Sequence, residues 1–343
     1  METSEREALF EYNRALGWED EYQKYRENWA MYPKTFFVSE YPLLVDIELS
    51  SICNLKCPMC YTITDEFKKK VDTGLMNFSL FKKIIDEIAG KVPAIRLSLR
   101  GESTLHPDFI NAIEYAKNKG IKEVSTLTNG SMLNSSFVEK MIKAKIDWVT
   151  ISVDGIDSTY EKIRYPLKFS ETFDKIKHIH EIKKQLKTTK PVIKIQSIWP
   201  AIRENPEAFY NVFSPYVDFI AFNPLIDYLG NDEEIVYEEG FSCPQLYQRI
   251  VVGSDGSVMM CSNDEDNTNV IGDANIQSLK EIWHGEKLNA VRSLHKCKNG
   301  FLNINVCKKC YLPRMTEDNE VASVNGLVFI VKNYVNRSQT IGK

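Results

Sequence analysis

Cys53, Cys57 and Cys60 stand at C-x3-C-x2-C spacing directly after Val45-Asp46-Ile47-Glu48-Leu49, an alternating run that reads as a buried strand. Thiolates this close together on one loop converge on a metal centre. Three are one fewer than a closed tetrahedral zinc site takes, whereas an iron–sulfur cubane held by three cysteines keeps one iron open. A zinc knuckle is the competing use of the same triplet. Five further cysteines, Cys243, Cys261, Cys297, Cys307 and Cys310, lie in the C-terminal part. Cys243 and Cys261 bracket Gly253-Ser254-Asp255-Gly256-Ser257, a turn between two strand-like runs, and Cys307 and Cys310 form a C-x2-C pair. A second centre built from these thiolates would be iron–sulfur or zinc, since spacing alone does not name the metal.

The bulk properties are those of a soluble globular chain of 343 residues, 43% hydrophobic and 26% charged. A net charge of -4 gives no general attraction to nucleic acid. The longest apolar tract, Gly326-Leu327-Val328-Phe329-Ile330-Val331, is far short of the roughly 20 residues of a spanning helix, and the N-terminus does not read as a secretory signal. A cytoplasmic location away from membranes is therefore expected, where thiols stay reduced and cysteines serve as metal or redox ligands.

The elements that must position the first triplet are repeated strand–helix units. Strands are predicted at 45–49, 94–100, 123–128, 148–153, 192–199 and 218–223, with amphipathic helices at 79–89, 107–119, 135–145, 171–186 and 206–214. Asn118-Lys119-Gly120 should end its helix in a left-handed residue. Such alternation means a parallel sheet with helices outside it. Six units predict a partial (β/α)6 TIM-like barrel covering 45–230, with its chemistry at the C-terminal ends of the strands, where the triplet sits. Residues 1–44 read as a helical extension, with Tyr22, Tyr25 and Trp29 at helical spacing. Residues 231–343 read as a small hairpin-and-helix module, with a helix at about 278–295.

The triplet at the end of the first strand resembles the hallmark of the radical S-adenosylmethionine (SAM) superfamily. Arg100-Gly101-Glu102 resembles that family's Gly-Gly-Glu type motif, with Arg100 in place of the first Gly. Thr128-Asn129-Gly130, Ile151-Ser152-Val153-Asp154-Gly155 and Tyr160-Glu161-Lys162-Ile163-Arg164 resemble segments at the following strand ends. The resemblance implies that Cys53, Cys57 and Cys60 hold a [4Fe-4S] cluster whose open iron chelates SAM. One electron from an external reductant such as flavodoxin or ferredoxin would then yield a 5′-deoxyadenosyl radical. It further implies that Gly101 and Glu102 meet the methionine ammonium, Thr128 lies near the carboxylate, Ser152 meets a ribose hydroxyl and Arg164 pairs with the carboxylate. Met59 replaces the aromatic residue that many relatives place beside the adenine.

The later cysteines resemble the SPASM and shorter twitch extensions of that family. This implies one auxiliary [4Fe-4S] cluster on Cys243, Cys261, Cys307 and Cys310. Cys297 is left over, as a small buried hydrophobe, as a replacement for one of those four ligands, or as a hydrogen donor to a substrate radical. The resemblance points to oxidation or epimerisation of a small polar substrate, a sugar or aminocyclitol. Asp154, Gln196, Asn223 and Asp227, at or beyond strand ends, either line a polar pocket or have a solvated or structural role. A peptide-modifying maturase and a non-catalytic iron–sulfur electron carrier are the alternatives.

Overall fold

The computed structural model describes residues 1–226 and 234–341. Six parallel strands, β1 (Leu44–Ile47), β2 (Ala94–Arg96), β3 (Glu123–Thr128), β4 (Trp148–Ser152), β5 (Val192–Ile198) and β6 (Phe219–Asn223), lie side by side in chain order. The sheet continues past β1 into β7 (Arg249–Val252), β8 (Ser257–Met259) and β9 (Val270–Asp273), and β6 is not joined to β9, so the barrel stays open. Every residue of β1 is buried, as expected of a parallel strand covered on both faces. The expected hairpin is present: β7 runs antiparallel to β8, around Gly256 at φ +90°. Yet β7 also pairs in parallel with β1 along its whole length, Leu44 opposite Arg249 through Ile47 opposite Val252. Barrel and C-terminal module thus share one sheet.

The helices follow the predicted periodicity. Between the strands run α4 (Phe78–Ile88), α5 (Phe109–Asn118), α6 (Ser135–Lys143), α8 (Phe169–Gln185) and α9 (Pro206–Phe213), with the short α3 (Asp65–Lys70) and α7 (Asp157–Ile163) added after β1 and β4. In α4 the buried side chains Leu80, Phe81, Ile84, Ile85 and Ile88 repeat at helical spacing, so one face lies on the sheet. Gly120 closes α5 at φ +88°, as its sequence requires.

The N-terminal extension is two helices, α1 (Ser4–Ala15) and α2 (Glu19–Thr35), because Gly17 at φ +87° breaks the run. They cover one end of the barrel. Arg14 makes a buried bidentate pair with Glu123 at 3.0 and 3.1 Å and lies 4.3 Å from the Trp148 ring. In the C-terminal module α10 (Gln245–Gln248) packs on α2. The helix expected near 278–295 is split by His284-Gly285 into α11 (Leu279–Trp283) and α12 (Glu286–His295), and α13 (Asn305–Lys309) carries Cys307. A separate two-stranded ribbon, β10 (Thr316–Val324) with β11 (Leu327–Tyr334), follows and lays Phe329 against Trp199 and Phe222. Among the described residues no helix is long and apolar enough to cross a membrane.

Candidate active site and auxiliary thiol cavity

Parallel strands put all their C-terminal ends at one mouth, and the predicted motifs meet there. The Cys53–Cys60 loop leaves β1 through Ser50 and Ser51. Gly101 packs so closely beneath it that an added Cβ would stand 2.4 Å from the Ser50 carbonyl oxygen and 2.7 Å from that of Ile52. The Glu102 amide donates to the Ile52 carbonyl at 2.9 Å, which fixes the loop to the end of β2. Within the loop the Cys60 amide donates to the Cys57 carbonyl at 3.0 Å, and the Leu55 amide reaches Cys53 Sγ at 3.5 Å.

Glu102 is buried among donors. Its Oε1 accepts from the Thr104 amide (3.2 Å), Thr104 Oγ1 (2.5 Å) and Thr128 Oγ1 (2.8 Å), while Oε2 accepts from the Asn129 amide at 2.6 Å. The Thr128 hydroxyl, expected near the methionine carboxylate, donates its proton to Glu102 and so helps to fix that side chain. Asn129, which the sequence reading passed over, donates from Nδ2 to Asn54 Oδ1 at 2.9 Å and lies 3.8 Å from Cys53 Sγ. Its place inside Thr-Asn-Gly was the available signal.

Arg164 lies half-buried at the end of α7, its Nε and Nη2 both on Asp154 Oδ2, at 2.7 and 2.5 Å. Among the described residues Nη1 has no hydrogen-bond partner. Asp154 was expected to line a polar pocket, but it is buried and both its oxygens are used, Oδ1 accepting from the Ile198 amide at 3.0 Å. It holds Arg164 in place. Ser152 is half-buried at the end of β4, opposite Gln196 in register on β5; Asn223 is exposed at the end of β6, and Asp227 lies outside the described residues. Met59 is half-buried.

The chemistry of the triplet suits a cationic group. All eight cysteines are free. Burial pushes the Cys57 thiol up to about 11, the Arg164 guanidinium opposing it, and the Cys53 thiol is also raised by burial. Left alone these thiols stay protonated; a bound iron–sulfur group would make thiolates of them.

Four of the later thiols gather as the resemblance implied. Cys243, Cys261, Cys307 and Cys310 line one cavity together with Leu246, Met260 and His295. Burial pushes Cys243 up to about 12 and raises the other three, and repulsion from Cys310 pushes Cys243 further in the same direction. Such a set ionises only around positive charge, so the donors fit an auxiliary cluster. Among the described residues no three donors close on a single ion. Asn263 Nδ2 and the Leu312 amide donate to Cys310 Sγ at 3.2 and 3.4 Å. Cys297, beyond α12, is exposed, and its Sγ faces the Ser293 carbonyl at 3.6 Å rather than lining the cavity. His295, which the sequence reading did not single out, sits inside this cavity; its place two residues before Cys297 was the only signal.

The radical SAM superfamily model matches residues 47–198, and an iron-sulfur cluster-binding domain model, SPASM, matches residues 243–311. The chain belongs to the radical SAM superfamily. Its cofactors are SAM, the SAM-binding [4Fe-4S] cluster and auxiliary iron–sulfur, which removes zinc from the two choices that spacing left open.

Among relatives of this radical SAM protein, the tungsten-containing aldehyde ferredoxin oxidoreductase cofactor-modifying protein of Pyrococcus furiosus is 25% identical over 260 residues, 73% of this chain and 71% of that protein. The Fe-coproporphyrin III synthase of Methanosarcina barkeri is 32% identical over 114 residues, 33% of this chain but only 27% of its own length. Two solved structures share the fold. BtrN in complex with AdoMet and 2-DOIA is similar at a TM-score of 0.56 and 17% identity, over 80% of this chain and 94% of that one. Streptococcus suis SuiB bound to precursor peptide SuiA is similar at 0.54 and 17% identity, over 85% of this chain and 76% of that one.

Proposed function

We propose that this radical SAM enzyme removes a hydrogen atom from a C–H bond of a small polar substrate of the sugar or aminocyclitol class, and that the auxiliary centre takes the remaining electron, giving a product two electrons more oxidised. When bound, SAM and the cluster on Cys53, Cys57 and Cys60 supply the 5′-deoxyadenosyl radical. In this reading Glu102, held by Thr104, Thr128 and Asn129, receives the methionine ammonium beside Gly101. Arg164, steadied by Asp154, offers Nη1 to the carboxylate, and Ser152 meets the ribose. An external one-electron donor of the flavodoxin or ferredoxin type completes the cycle, in the reducing cytoplasm that eight free thiols suit.

The observation that carries this reading is the convergence of four thiols, Cys243, Cys261, Cys307 and Cys310, on one cavity. A centre ligated wholly by cysteine has no open iron for a substrate and suits electron acceptance. The exposed position of Cys297 favours oxidation over an epimerisation in which that thiol returns hydrogen. Coverage of nearly all of BtrN supports a small substrate. A peptide substrate is the second reading, favoured by the 85% of this chain that aligns with peptide-bound SuiB.

Anaerobic reconstitution with iron and sulfide, then SAM and dithionite, tests both readings. Deuterium carried into 5′-deoxyadenosine from a C-deuterated aminocyclitol or sugar supports the proposal. Transfer only from peptides moves the substrate class to the second reading, and no 5′-deoxyadenosine at all overturns the enzymatic one.

A further inference from the structure

We propose that the His295 side chain donates a hydrogen bond to the Cys307 sulfur and so raises the reduction potential of the auxiliary cluster; this rests on reading Cys243, Cys261, Cys307 and Cys310 as its ligands. The ring's proton is located by its partners. The Cys243 amide donates to His295 Nδ1 at 3.2 Å, and since an amide N–H only donates, Nδ1 carries the lone pair and the proton sits on Nε2. Nε2 lies 3.5 Å from Cys307 Sγ, within reach for a donor to sulfur. One imidazole thus joins the backbone of one ligand to the sulfur of another.

The ring has little freedom to turn away. His295 is 2% exposed on the last turn of α12, and the Phe301 and Phe241 rings lie 6.2 and 6.4 Å from it, the latter edge-on. An N–H directed at a ligand sulfur withdraws charge from it and favours the reduced cluster, which is more negative by one unit. An electron-accepting centre needs a shift in that direction. The donors to Cys310 are Asn263 and the Leu312 backbone, so His295, which meets Cys307, can be altered by itself.

The full chain with Cys53, Cys57 and Cys60 all replaced by Ala isolates the auxiliary cluster after anaerobic reconstitution. EPR-monitored potentiometry would compare this parent with His295→Leu and His295→Gln. Leu should lower the reduced-to-oxidised ratio at least tenfold at a fixed potential, about 59 mV for a one-electron couple. Gln keeps an N–H on a similar arm and should recover much of that loss. If Leu does not fold, the parent labelled with 15N-histidine still decides, because a nitrogen one hydrogen bond from a ligand sulfur gives a weak hyperfine coupling. Equal potentials, or no coupling, overturn the role of His295 and leave the four-thiol reading standing. A strong coupling, meaning that His295 binds iron itself, overturns it as well. Absence of any cluster in the parent overturns the four-thiol reading and this proposal with it.

Discussion

Arg100 and Glu48 face each other across the ends of β2 and β1 as a buried bidentate pair, Nε to Oε1 at 2.8 Å and Nη2 to Oε2 at 2.5 Å. The pair also reaches across to the SPASM module: Arg100 Nη1 donates to Asn267 Oδ1 at 2.7 Å and to the Glu265 carbonyl at 3.2 Å, while the Ser254 amide donates to Glu48 Oε2 at 3.2 Å. The residue that departs from the family's first Gly therefore adds a buried polar tie to the β1–β7 pairing that joins barrel and module. Arg100→Met should cost about 3–5 kcal/mol, because it strands a buried carboxylate, and Arg100→Met with Glu48→Leu should recover much of that loss. Urea unfolding of the two variants measures both effects.

Gly101→Ala should disrupt the first cluster loop. The new methyl group would meet backbone atoms of Ser50, Ser51 and Ile52, none of which can swing aside as a side chain does. A destabilisation of roughly 1–3 kcal/mol is expected, with iron at the Cys53–Cys60 site lost more completely than at the auxiliary site. Iron and sulfide analysis of reconstituted protein reads this directly.

Glu102→Gln should weaken SAM binding at least tenfold. The amide replaces an acceptor with a donor beside Thr104, Thr128 and Asn129, all of which already donate, and one unmatched buried group costs on the order of 1–3 kcal/mol. Thr128→Val removes one of those donors and should act in the same direction with a smaller effect. Equilibrium binding of SAM to both variants measures the ratio.

Stability should rise with pH above about 8 because of Lys194. Burial lowers this ammonium on β5 from 10.5 to about 8, and the nearby Arg14 guanidinium adds to the effect. It lies about 6 Å from the Trp148 and Phe219 rings, and the Met1 ammonium is a further neighbouring charge. Below pH 8 the lysine is charged in both folded and unfolded chains, so the cost of burying it is carried in full. As pH rises from 8 to 10.5 the folded chain gives up the proton first, and the free energy of unfolding increases by up to about 3 kcal/mol. Lys194→Met should flatten this slope relative to wild type in unfolding titrations at pH 8 and 10.

Cys297→Ala should leave iron content and product stereochemistry unchanged, since the thiol is exposed and lies outside the auxiliary cavity. A changed product configuration, read by NMR, would instead assign Cys297 the role of hydrogen donor.

Strand order, barrel openness and the two thiol groups were legible because each rests on local pattern: alternation in β1, a helical stripe in α4, fixed spacing in Cys53–Cys60. What could not be read is what depends on contacts far apart in the chain. Asp154 looked like a pocket residue at a strand end; only the approach of Arg164 from α7 and the Ile198 amide from β5 makes it a support. Arg100 looked like a mild departure until Glu48 and Asn267 were brought beside it. His295 carries no motif, and its part comes from the meeting of α12 with the segments bearing Cys243 and Cys307. The single predicted helix near 278–295 failed at His284-Gly285, where the Arg292 guanidinium folds back to the Trp283 carbonyl at 2.7 Å.

The pairing of β7 with β1 has a consequence for modularity. The accessory module cannot be cut away at the linker before it, since deletion would strip a fully buried strand of its neighbour and leave Val45 and Ile47 on a raw, aggregation-prone edge. Grafting another relative's module onto this barrel would have to carry a compatible β7 and its Glu48-seeking turn as well. The transferable unit begins in the middle of a sheet, and a chimera joined at residue 231 should fold only where the incoming β7 matches β1.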